Sequence, residues 1–98
     1  MRPPVGRIEN RTPLVVAVKL SSSETSISEF ATTINVSLRG ARIKARKSWI
    51  PDERVSVRSL QGNLISQARV VYCQHLAGES FAVGLELLAP TGNWTFPA

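Results

Sequence analysis

Residues 30–47 read FATTINVSLRGARIKARK. Phe30, Thr32, Ile34 and Val36 alternate with Ala31, Thr33, Asn35 and Ser37. Past Gly40, Ala41, Ile43 and Ala45 alternate with Arg42, Lys44 and Arg46. Successive side chains of a strand leave the backbone on opposite sides, so a period of two marks a strand with one face in the core. The stretch therefore predicts two strands broken at Gly40. In the first, Asn35 and Ser37 share the face opposite Ile34 and Val36.

Strand signals continue on both sides. Residues 14–20 (LVVAVKL) are rich in β-branched side chains, which favour a pleated, half-buried surface. Residues 21–28 (SSSETSIS) are a polar loop, and residues 48–53 (SWIPDE) turn the chain. Residues 54–60 place Val55 and Val57 inward. Gln61-Gly62-Asn63 is a hairpin turn by composition, since Gly and Asn tolerate positive φ. Residues 64–74 follow, with Ala68, Val70 and Tyr72 on one face. Residues 75–80 form another turn, and residues 81–88 a last strand.

Short strands at regular spacing and no long helical pattern predict an all-β fold. The expected architecture is a six-stranded antiparallel β-barrel, since closure removes exposed edges. Pro3, Pro4, Gly6 and Pro13 oppose regular structure, so residues 1–13 read as a flexible N-terminal arm. Residues 14–90 read as the barrel and residues 91–98 as an irregular tail, from which Trp94 and Phe96 can pack back. A chain of 98 residues has room for one core.

The net charge of +5 is unevenly placed: residues 1–47 hold nine of the twelve Lys and Arg but three of the seven Asp and Glu. A basic half suits an anionic partner, and the prevalence of Arg suits planar or phosphate groups, which its forked donors match. Cys73 is the sole cysteine, which excludes an internal disulfide, and no Cys/His spacing suggests a metal. His75 lies in a turn without a ligand-spaced neighbour. No nucleophile–base pair, carboxylate dyad or phosphate-cradling Gly loop is present, so no catalytic residue and no cofactor are expected. The first residues lack the apolar stretch of a signal peptide, and residues 14–18 are too short to span a bilayer. The expectation is a soluble, cytoplasmic protein without membrane insertion.

Two short patterns carry chemistry. Arg7 and Arg11 form R-x-x-x-R in the arm, and Asn35, Ser37 and Gly40 form N-x-S-x-x-G at the end of a strand. In this order and context they resemble the PilZ domain family, bacterial receptors for cyclic di-GMP. The body is similar too, in Gly40-Ala41-Arg42-Ile43, Ala68-Arg69-Val70-Val71 and Ala82-Val83-Gly84-Leu85-Glu86-Leu87. The resemblance covers roughly residues 6–90. It implies a six-stranded barrel and cyclic di-GMP as ligand, bound by Arg7, Arg11, Asn35, Ser37 and Gly40, with Arg39 as an added contact inside the motif. Where others of the family carry a further Arg, this chain has Gly6, which leaves open whether one ligand or a stacked pair binds.

The residue types suit that ligand. Arg can donate two parallel bonds to guanine O6 and N7, or grip a phosphate. An amide or hydroxyl oxygen can accept from guanine N1–H or N2–H₂. Gly40 permits a positive φ and close backbone approach to the ligand. The basic side chains of Arg42, Lys44 and Arg46 read as a solvated strand face, a phosphate contact or a partner surface. The expected role is a receptor or adaptor, with ligand-induced ordering of the arm read by a downstream protein. Two alternatives stand beside it. One is a PilZ-like interaction module without nucleotide binding. The other is a small basic barrel for single-stranded nucleic acid, which the low aromatic content disfavours.

Overall fold

A computed structural model describes residues 11–95. The regular elements among them are strands: β1 (Thr12–Pro13), β2 (Ala17–Ser22), β3 (Ser28–Val36), β4 (Gly40–Ala45), β5 (Arg54–Ser59), β6 (Ile65–His75) and β7 (Phe81–Leu87). Strands β3-β2-β5-β6-β7-β4 pair in that order, all antiparallel, and the β3–β4 pairing closes a six-stranded barrel. The predicted architecture is present, with one strand more. The added β1 pairs with Asn35 and Val36 on the edge of β3 that β2 uses further along. The last two residues of the expected arm are therefore part of the sheet.

Aliphatic side chains of modest size fill the barrel. Val18, Leu20, Ile43, Val55, Val57, Val70 and Val83 are fully buried, alongside Ala41, Ala45 and Ala68. Six strands leave an interior too narrow for much else. Trp49, 3% exposed, packs with this core from the β4–β5 connection. Glu29, in β3, holds that connection: its carboxylate accepts the backbone N–H groups of Arg46 and Lys47 and the Trp49 indole Nε1–H. The chain then turns through Pro51 and Asp52, where Asp52 takes φ 73° and the Glu53 N–H donates to the Ile50 carbonyl at 3.0 Å.

Two bulges correct the face assignments made from periodicity. In β3, Thr33 opposes Ile43 and Asn35 opposes Arg42, so Ile34 is an extra residue. The alternation changes phase there. Before the bulge the inward residues are Ala31 and Thr33, and after it Val36. Phe30, at 68% exposure, and Thr32 point outward. In β6 the register shifts between Val70 and Tyr72. Tyr72 thereby leaves the face of Ala68 and Val70, and its ring covers Gly84 on β7, where an added Cβ would lie 2.1 Å from the Tyr72 ring.

Thr33 explains the gap between β1 and β2. Its hydroxyl donates to the Leu14 carbonyl and accepts the Val16 N–H at 2.9 Å, while the Thr33 N–H donates to the Val16 carbonyl at 3.0 Å. A buried side chain thus replaces the ladder bonds lost at the break.

The tail docks as far as it is described. Asn63 and Leu64 donate backbone N–H groups to the Asn93 carbonyl, Ser59 Oγ donates to the Trp94 carbonyl, and half-buried Trp94 packs against the core. Gly62 permits this, because a Cβ there would lie 2.4 Å from the carbonyl oxygens of Asn93 and Trp94. Phe96 lies outside the described residues. Among the described residues no helix is long and apolar enough to cross a membrane.

Replacing Thr33 by Val keeps the shape but leaves two backbone groups unpaired. Urea unfolding is expected to show a loss of about 1–3 kcal/mol. Gly62→Ala is expected to speed amide exchange at Leu64, whose N–H bonds the tail at 2.8 Å, while Val57 in the barrel interior keeps its protection.

Candidate functional site

The β3–β4 turn builds the floor of the site. Ser37 and Gly40 flank a two-residue tip, Leu38-Arg39, and the Ser37 N–H donates to the Gly40 carbonyl at 2.9 Å. Ser37 is buried, with its hydroxyl 3.3 Å from the same carbonyl as donor. It lies one residue past the end of β3 and braces the turn from within. The pairing with Asn35 on a shared strand face, expected from periodicity, is not what the structure shows: Asn35 is half-buried on the outward face, and Ser37 is turned in.

Gly40 has a different reason from one of those expected. Its φ is not positive; among the described residues the glycines of that kind are Gly78 and Gly92. An added Cβ would sit 2.9 Å from the Leu85 carbonyl oxygen of β7. Gly40 opposes Glu86 in the ladder, so this glycine lets β4 begin flush against β7. Arg39 stands exposed at the tip, anchored through its carbonyl, which accepts the Leu87 N–H at 2.8 Å.

β1 forms the wall. By pairing Thr12 with Val36 and Pro13 with Asn35, it carries Arg11 to the strand end. There the Arg11 Nη1 donates to Asn35 Oδ1 at 2.9 Å. One arginine of the first motif and the amide of the second, 24 residues apart, are thus in direct contact. Arg7 lies outside the described residues.

A further residue joins them. Arg42 on β4 sits directly opposite Asn35 on one side and Gly84 on the other. Its Nη2 donates to Gln74 Oε1 at 3.5 Å, whereas its Nε is buried without a hydrogen-bond partner. A buried guanidinium N–H without an acceptor is uncommon and suits a ligand oxygen. The outward row therefore runs Arg11, Asn35, Arg42, then the Tyr72 ring over Gly84. Alternation had placed Arg42 only within a basic stripe. Its position opposite Asn35 depends on the bulge at Ile34, which periodicity does not reveal.

Beside this row, Thr12, Ser37, Leu38, Pro90 and Trp94 help line a cleft of about 380 Å³. Leu38, at 88% exposure, lines it from the motif turn. Arm, motif turn and tail therefore meet at one end of the barrel. No cluster of three or more His, Cys, Asp or Glu able to hold a metal ion occurs among the described residues.

The family model of the PilZ domain matches residues 7–93, from the first motif arginine to the docked tail. The chain belongs to the PilZ domain family. PilZ domains are receptor and adaptor modules, and the family is known for binding cyclic di-GMP. A search among curated protein sequences finds no match to the chain. In this PilZ domain the matched span includes both motifs, the barrel and the cleft-lining tail residues up to Asn93.

Gly40→Ala drives a methyl group against a backbone oxygen that cannot swing aside. Its expected cost is about 1–3 kcal/mol in denaturant unfolding, as for other overpacked sites. Arg39→Ala, at an exposed tip, is expected to leave stability within about 0.5 kcal/mol of wild type.

Proposed function

We propose that this PilZ domain is a receptor for cyclic di-GMP that acts as an adaptor. The observation that carries the reading is the Arg11–Asn35 hydrogen bond, which joins the two halves of the ligand signature. The proposed ligand is clamped between the arm, through Arg7 and Arg11, and the turn bearing Asn35, Ser37 and Gly40, with Arg39 and Arg42 at its margins.

The chemistry fits each part. Arg11 donates to Asn35, and its guanidinium is the forked group that suits a guanine edge or a phosphate. Asn35 then serves as a positioning residue for Arg11 as well as a contact for the guanine edge. The Nε of Arg42, buried and without a hydrogen-bond partner, is a further donor within the same row. Ser37 supports the ligand indirectly, by fixing the turn whose backbone faces it.

The proposed signal is ordering of the arm on the ligand. Fixing a residue costs about 1–2 kcal/mol in backbone entropy. Each hydrogen bond to a charged partner returns roughly 1.5–3 kcal/mol. Thr12 and Pro13 are paired to β3 and so add little to that cost. A few charged bonds offset it, which gives a reversible clamp whose new surface a downstream protein reads.

Calorimetric titration tests the receptor reading. Cyclic di-GMP is expected to bind the wild type, and Arg11→Ala to weaken it by at least about tenfold, the equivalent of one charged hydrogen bond. GTP and a single-stranded oligonucleotide serve as controls. Hydrogen exchange at residues 1–13 is expected to slow on saturation. Absence of heat and of any thermal shift with cyclic di-GMP overturns the receptor reading in favour of an interaction module.

A further inference from the structure

The strands that carry the nucleotide row continue into a second exposed surface. Ahead of the β3 bulge, Phe30 and Thr32 point out, as do Lys44 of β4 and Arg46 just beyond it. Register places Lys19 of β2 opposite Phe30, Arg58 of β5 opposite Lys19, and Thr32 between Ala17 and Lys44. Lys44 is the next outward residue after Arg42, so this face borders the nucleotide row without including it.

Three properties distinguish it. It is concave: Ala17, Phe30, Thr32, Lys44, Arg46 and Glu79 line most of a groove of about 630 Å³. Its charge is net basic: Lys19, Lys44, Arg46 and Arg58 outnumber the two acids of the groove, Glu79 at its edge and Glu29, whose carboxylate accepts the backbone N–H groups of Arg46 and Lys47 and the Trp49 indole N–H. Among the described residues, no ion pair engages Lys19, Lys44, Arg46 or Arg58. Finally, its centre is an aromatic ring at 68% exposure, with the Lys19 ammonium 5.8 Å from the ring centroid.

We propose that this groove docks an acidic protein segment carrying an apolar side chain. Carboxylates of the segment pair with Lys44, Arg46, Lys19 and Arg58, and the apolar side chain covers Phe30. Thr32 and Ser80 supply hydroxyls at the rim. The form of the site favours a peptide over other polyanions. A single-stranded nucleic acid gains its affinity by stacking successive bases on several aromatics, and this face offers one ring. A membrane surface is broad and flat, whereas this surface is a groove with Glu79 at its edge, which repels a uniform sheet of anionic headgroups. A discrete segment can present its carboxylates away from Glu79.

The inference does not rest on nucleotide binding, and its test contains no nucleotide. The full chain is used to select from a random displayed-peptide library, in parallel with a K44E/R46E variant and a Phe30→Ala variant. All three substituted side chains are exposed, and the folded state of each variant is checked by its amide spectrum. The wild type is expected to enrich acidic peptides that contain a large apolar residue. The selected peptides, resynthesised, are expected to bind at least about tenfold more weakly to each variant, and more weakly as salt rises. Amide shift changes on titration are expected at residues 17–19, 30–32 and 44–46. Enrichment without an acidic bias, or equal binding to the variants, overturns the proposal. So does a result in which only phosphatidylglycerol vesicles or a single-stranded oligonucleotide distinguish wild type from K44E/R46E.

Discussion

The hydroxyl of Thr33 sits between two backbone groups that have no strand partner, the Leu14 carbonyl and the Val16 N–H. An unpaired buried amide costs as much as a lost hydrogen bond or more, so the chain can break between β1 and β2 only where such a side chain fills the gap. Everything at the binding end follows. The break lets β1 leave the register of β2 yet stay on the same edge of β3, which sets Arg11 beside Asn35. On the other edge of β3, the bulge at Ile34 begins beside Thr33 and turns Asn35 outward, opposite Arg42.

A barrel this narrow dictates where recognition occurs. Its interior is filled by Val18, Leu20, Ile43, Val55, Val57, Val70 and Val83, with no room for a dinucleotide. A ligand of the proposed kind is therefore met on the outside, where the strand face offers a floor and Arg11, next to the two residues of β1, stands against Asn35. The glycines serve this outside surface. Gly40 lets β4 start against the Leu85 carbonyl, and Gly84 leaves space for the Tyr72 ring to lie across β7.

The barrel and its family were legible in the sequence because both rest on local signals. Alternation such as Val55 and Val57, or Ala41, Ile43 and Ala45, needs no knowledge of the partner strand, and the five signature residues stand in fixed order. The faces of Phe30 and Tyr72, and the position of Arg42 opposite Asn35, were not legible. A bulge adds one residue and inverts every assignment beyond it, and neither Thr32-Thr33-Ile34 nor Val70-Val71-Tyr72 marks where the addition falls. Alternation set Phe30 with Ile34 and Val36, yet it is Ala31 that fits the narrow interior. The role of Ser37 was hidden for another reason: hydroxyls that brace turns and hydroxyls that meet ligands are the same residue type. For Gly40, identity was informative and the motive was not, since close approach of β7 is a tertiary fact.

The cleft lined by Thr12 and Trp94 has an evolutionary consequence. The two described ends of the polypeptide emerge side by side, at the pole that bears the nucleotide motif. Such geometry favours transplantation: the unit can be spliced into a loop of a host protein, or rejoined end to end and reopened elsewhere, with little disturbance to its interior. Under the proposed receptor reading, the described chain ends and the ligand row share one pole, so a graft made there lies beside Arg11 and the docked tail.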